Sequence, residues 1–131
     1  MKRKVKALAV VGLASGILST SALAYNYKFQ FDVTTGWFSD TAYTAYAYKV
    51  TDTENPVVNV TAMDLNWTAN IMMVNSNDLQ RSSIGSWSSP GAQVLTNMGG
   101  KQGYQYRLKI WEAYPNSKTY SIKGAWNPDS Y

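Results

Sequence analysis

Apolar and polar positions alternate with period two along most of the chain beyond residue 24. From Tyr25 to Val33 the aromatic and apolar residues Tyr25, Tyr27, Phe29, Phe31 and Val33 take one phase, and Asn26, Lys28, Gln30 and Asp32 take the other. That pattern predicts a strand with one buried face. Thr34-Thr35-Gly36 signals a turn. Ala42 to Val50 reads as a second strand, with Tyr46, Tyr48 and Val50 sharing a side. Asp52 to Pro56 is a loop, because Pro and Asn break pairing. Val57 to Leu65 and Asn66 to Val74 predict two further strands, or one long bent strand, since no Gly or Pro marks the join. The serine-rich stretch Asn75 to Gly91 is predicted as the largest irregular segment. A short strand over Ala92–Asn97, a glycine turn at 99–103, a strand over Tyr104–Trp111, a turn at Pro115-Asn116-Ser117 and a last strand over Thr119–Trp126 complete the reading.

Six or seven strands with short turns and no helix predict an all-β fold. One polar face per strand favours antiparallel pairing. The expected architecture is an antiparallel β-sandwich, with a barrel as the alternative. Residues 25–131 suit one domain.

The first 24 residues break the pattern. Lys2, Arg3, Lys4 and Lys6 precede an apolar stretch from Ala7 to Leu18, and Ala22-Leu23-Ala24 follows. This order predicts a cleaved secretory signal. The apolar run is too short for a comfortable bilayer span, which takes about 20 residues. Four of the twelve basic residues lie in this leader and all eight acidic residues lie beyond it, so the expected mature chain is neutral. Its remaining Lys and Arg are scattered apart from Arg107 and Lys109, which argues against nucleic acid as a partner.

The chain has no His and no Cys. That removes the usual general base at neutral pH, the commonest metal ligands and the His-based nucleophile systems. No cofactor or metal site is expected. The carboxylates are Asp32, Asp40, Asp52, Glu54, Asp64, Asp78, Glu112 and Asp129. Asp52 and Glu54 are close in sequence but sit in a polar loop, so no catalytic residue is assigned.

Aromatic residues are the stronger signal. Five Trp, ten Tyr and three Phe all fall beyond residue 24. Phe29, Phe31, Trp67, Leu108 and Ile110 are expected in the core. Trp37 and Phe38 follow a turn glycine, Trp87 lies between serines, and Trp111 is out of phase with Leu108 and Ile110. Exposed aromatics stack on sugars or dock partners. Trp87, Trp37, Phe38 and Trp111 are therefore the candidate binding residues, with Trp87 expected to be the most accessible tryptophan and Trp37 next. The expected partner is a cell-envelope or glycan component, or another protein.

Over Tyr104–Asp129, the alternating strand through Leu108, the Pro115-Asn116-Ser117 turn and the close Tyr120-Ser121-Ile122-Lys123-Gly124-Ala125-Trp126-Asn127-Pro128-Asp129 resemble the ending of small exported proteins of unknown function from Gram-positive bacteria. This resemblance implies export and a β fold. In size, leader, lack of cysteine and Tyr/Trp content the chain also resembles lactococcin-type bacteriocins, which would imply a secreted antagonist of related bacteria. The leading expectation is a secreted, non-catalytic binding protein at the cell surface or in the medium.

Overall fold

A computed structural model describes residues 26–37 and 41–130. The leader, Tyr25 and Phe38 lie outside these described residues. Among them the fold is all-β, with nine strands and no α-helix: β1 (Phe29–Thr35), β2 (Ala42–Tyr43), β3 (Ala47–Tyr48), β4 (Val57–Met63), β5 (Ala69–Val74), β6 (Gly85–Trp87), β7 (Gly91–Val94), β8 (Gln105–Glu112) and β9 (Tyr120–Asn127). They form two antiparallel sheets, one ordered β1-β9-β4-β7 and the other β2-β8-β5-β6, with β3 also paired to β8.

The period-two patterns set the faces. In β1, Phe31 and Thr35 are buried while Gln30, Asp32 and Thr34 are exposed. The strand pairs with β9 from Phe29 opposite Trp126 to Thr35 opposite Tyr120. In β8, Tyr106, Leu108, Ile110 and Glu112 are buried and Arg107, Lys109 and Trp111 are half-buried on the other side. One cluster of buried side chains draws on both sheets. Phe31, Val58, Val60, Ile122 and Trp126 come from the first, and Ile71, Met73, Trp87, Leu108 and Ile110 from the second. Burying a side chain of this size is worth about 1.5–3 kcal/mol.

β9 approaches β4 closely at Gly124. A Cβ there would land on the Asn59 carbonyl oxygen, and the β4–β9 register shifts just beyond, between Val60 and Ala62. Glycine at this position permits both the contact and the bulge.

One expectation is corrected and two are refined. The strand predicted over Ala42–Val50 is interrupted between β2 and β3. Thr44 Oγ1 accepts the Leu108 N–H at 3.0 Å, where a backbone carbonyl would otherwise serve, and Thr44 N donates to Leu108 O. One extra residue is accommodated there, since Tyr43 lies opposite Lys109 but Ala47 lies opposite Tyr106. The Asp64-Leu65-Asn66 join is a crossing between sheets and not a bend within one strand. Asn66 adopts a left-handed φ of 66°, and Asp64 anchors the exit by accepting the Ser121 N–H. The stretch Asn75–Gly91 is largely irregular as expected, but it contains β6 and is tied down by hydrogen bonds. Asn75 Oδ1 accepts from Asn77 N and Leu79 N, Ser82 bridges to Asn97, and β6 pairs with β5.

A buried ionic cluster ties the region after β9 to the region after β3. Lys49 is 1% exposed and Asp129 is fully buried. Lys49 Nζ donates to Glu54 O (2.6 Å), Pro128 O (2.7 Å) and Asp129 Oδ1 (3.0 Å). Asp129 also accepts from Val50 N, Thr51 N and Thr51 Oγ1. Burial alone would raise the Asp129 carboxyl pKa, but the hydrogen bonds from Val50, Thr51 and Lys49 together outweigh it and hold the carboxyl below its ordinary value.

Candidate functional site

The three described tryptophan candidates do not form one surface, and Phe38 lies outside the described residues. Trp87 is only 2% exposed, which overturns its expected role as the most accessible tryptophan. As part of β6 it lies opposite Ala69, its ring enters the shared core, and its Nε1–H donates to Gly91 O at 2.9 Å. The serine-rich stretch has little apolar content of its own, but a three-residue strand suffices to carry Trp87 into a core built by others. Trp111 lies opposite Asn70 on the outer face of the same sheet, half-buried. Trp37 is 66% exposed where the chain leaves β1.

The outer face of the five-stranded sheet gathers a different set. β8 presents Gln105, Arg107 and Lys109 in alternate positions, as its period requires. Register places Tyr48 opposite Gln105 and Tyr43 opposite Lys109. Beside them lies a groove of about 700 Å³ lined by Tyr48, Tyr104, Arg81, Lys101, Asn77 and Gln105, among others. Tyr48 is 59% exposed and Tyr104 is 64% exposed.

The walls of this groove are held from behind. The turn before β8 uses left-handed φ angles at Gly99 and Gly103, 87° and 86°, which glycine adopts without strain. Gly103 N donates to Lys49 O, and Lys49 N donates to Tyr104 O. Asn97 Oδ1 accepts the Gly100 N–H, and the Tyr106 hydroxyl accepts the Lys101 N–H at 2.8 Å. Asp52 Oδ1 accepts from Gln102 N, and Glu54 Oε1 accepts from Ser130 Oγ. The carboxylates adjacent in sequence thus fasten loops.

Next to the groove the Arg107 guanidinium lies over the Tyr43 ring at 3.8 Å and the Tyr46 ring at 4.9 Å. Asp78 accepts from the Tyr43 hydroxyl (2.9 Å) and from Lys109 Nζ (2.8 Å). The bond from Lys109, then that from Tyr43, lowers the Asp78 pKa, and the bond to Asp78 raises that of Lys109. Burial, followed by the bond to Asp78, raises the Tyr43 phenol.

At the other end of β8 a cleft of about 500 Å³ is lined by Leu65, Trp67, Glu112, Tyr114 and Asn116, among others. Trp67 stacks on Tyr120 with ring centroids 4.9 Å apart. Glu112 is buried and accepts from Thr35 Oγ1 at 3.1 Å.

No family model, characterised protein or solved structure matches the chain. The chemistry of the surface therefore rests on its own groups. The groove combines exposed aromatic faces, amides and two cations on a rigid backbone, a set suited to recognition. Among the described residues no group of three or more His, Cys, Asp or Glu is placed to hold a metal, and no helix is long and apolar enough to cross a membrane.

The tyrosines were visible in the sequence as an in-phase pair, Tyr46 and Tyr48. Nothing in that phase told which side of the strand faces solvent. Tyr104 shares the phase of Tyr106, Leu108 and Ile110 and so reads as a core position, but it stands just before β8 and is exposed.

Proposed function

We propose that residues 25–131 are a secreted, single-domain antiparallel β-sandwich that acts without catalysis, as a binding module at the cell surface or in the medium. Its ligand is an extended glycan of the cell envelope, seated in the groove between Tyr48 and Tyr104. The observation that carries this reading is the pair of tyrosines, each more than half exposed, on one groove whose polar lining is amide and cationic. Tyrosine offers an apolar face for a sugar ring and a hydroxyl for its edge. Loops fixed by a rigid sheet position such groups with little ordering cost on binding. Trp111 extends the aromatic strip along the outer face of β8, and Trp37 provides a further exposed ring beyond β1.

The test is retention of purified protein on cell-wall and polysaccharide fractions, compared with the Tyr48→Ala/Tyr104→Ala variant. Loss of each stacking contact should weaken binding about tenfold, the factor equal to about 1.4 kcal/mol. The melting temperature should hold, because exposed substitutions rarely exceed about 0.5 kcal/mol. A double variant that binds like the parent protein overturns the reading.

A further inference from the structure

We propose that Arg107 is a preformed anion-recognition residue, so that the glycan taken by the groove is one bearing carboxylate or phosphate groups. This rests on the groove reading and narrows its ligand.

Three observations converge on Arg107. The first is orientation. Its guanidinium lies over the rings of Tyr43 and Tyr46 at 3.8 and 4.9 Å. Two rings against one guanidinium hold its position and leave N–H donors that the rings do not use as hydrogen-bond acceptors.

The second is vacancy of hydrogen bonding. The Arg107 side chain donates no hydrogen bond to a described residue and forms no ion pair within 4 Å, and its Nε is buried without a partner. An arginine whose role is structural usually spends its five donors on carbonyls or a carboxylate. The nearby carboxylate is Asp78, and both its oxygens are occupied, Oδ1 by the Tyr43 hydroxyl and Oδ2 by Lys109 Nζ. Asp78 is within Coulombic reach of Arg107 as well, but with Lys109 bonded to it the three groups keep one net positive charge.

The third is place. On β8, Arg107 follows Gln105 on the same face, a step of about 6–7 Å, and Gln105 lines the groove. Its register partner Val74 immediately precedes Asn75, another lining residue. Arg81 and Lys101 add positive charge, and no carboxylate lines this groove. Arg107 does not itself line the groove, but a ligand that extends beyond Tyr104 and Tyr48 along the Gln105 face of β8 would reach it. The planar fork matches two oxygens of one carboxylate or phosphate, a fit that a lysine cannot reproduce.

The test is equilibrium binding of the purified protein to three immobilised polymers: a polyuronate, a phosphomannan and a neutral galactan. The parent protein should bind at least one anionic polymer about tenfold more tightly than the galactan, the scale of one charge-assisted hydrogen-bond pair. Which anionic polymer wins identifies the anion. Arg107→Met should abolish that preference, bringing the anionic polymers to the affinity of the galactan. Arg107→Lys should restore only part of it. Tyr46→Ala, which keeps the charge and removes one stacking ring, should also reduce the preference, and it serves if Arg107→Met does not fold. Raising salt from 0.05 to 0.5 M should erode the preference of the parent protein through screening, on a scale of about 10 Å at 0.1 M. If all three polymers bind equally, or Arg107→Met keeps the preference, the Arg107 assignment is overturned while the groove reading stands. If none of the three binds, both fail.

Discussion

Replacing Asp129 with Ala removes one partner from the most deeply buried ionic contact described in the structure. Lys49 Nζ has three donors and three acceptors, at 2.6, 2.7 and 3.0 Å. Asp129 in turn satisfies the N–H groups of Val50 and Thr51 and the Thr51 hydroxyl. The variant leaves an ammonium group buried against two carbonyls, with two backbone N–H groups deprived of their acceptor. Breaking a buried pair from one side costs about 3–5 kcal/mol. At about 4 °C per kcal/mol for a domain of this size, melting should fall by about 12–20 °C. Lys49→Met/Asp129→Leu should melt above either single variant, because removing both charges leaves none uncompensated. The pH dependence has a definite sign. The folded Asp129 pKa lies below its ordinary value, so its contribution is present above the usual aspartate range and is lost as pH falls through the folded pKa. Asp129→Asn should therefore lose stability at pH 7 and show a flatter acid limb. Circular dichroism melts between pH 2 and 7 measure both effects. An Asp129→Ala protein that melts within about 3 °C of the parent refutes the reasoning, since the expected cost is several kcal/mol.

Trp87→Ala should cost about 3–5 kcal/mol, because the ring is 2% exposed in the shared core, whereas Trp37→Ala should change stability by under about 0.5 kcal/mol at a site 66% exposed. Equal melting temperatures for the two variants would contradict that ordering. The exported product should begin at Tyr25, and mass spectrometry of the culture medium checks it; a mass retaining Leu23-Ala24, or a chain held in the membrane fraction, contradicts the proposed cleavage.

Period two made β1 and β8 legible from the order of residues alone, because each buries one phase, whereas β4 and β9 bury residues of both phases. What stayed hidden depends on partners far away in sequence. Thr44 interrupts a strand by offering its hydroxyl to Leu108 N, a contact 64 residues distant. The buried place of Trp87 follows from its pairing with β5 and not from its serine neighbours. Arg107 and Tyr43 meet only because β2 pairs with β8 in one particular register.

The exposed tyrosines illustrate why phase alone is insufficient. Alternation over Tyr46-Ala47-Tyr48-Lys49-Val50 separates two faces but leaves open which one turns inward. Hydrophobicity favours burying Tyr46, Tyr48 and Val50, yet all three are exposed while Ala47 and Lys49 are buried. A strand shifted by one residue exchanges its faces completely, so something must outweigh the burial of two tyrosines and a valine. Ala47 supplies little apolar area. The Lys49 side chain supplies its stem to the interior, and its ammonium is accepted only because Asp129, Glu54 O and Pro128 O are already in place. A buried ion pair is a weak source of net stability, but it discriminates strongly against arrangements that leave either charge alone. In the alternative phase Asp129 would remain buried without its cation. The ion pair therefore fixes the phase of β3, and that phase turns Tyr48 toward the groove that Tyr104 and Arg81 complete. The proposed binding surface thus depends on a contact on the far side of the strand, among residues outside the groove lining.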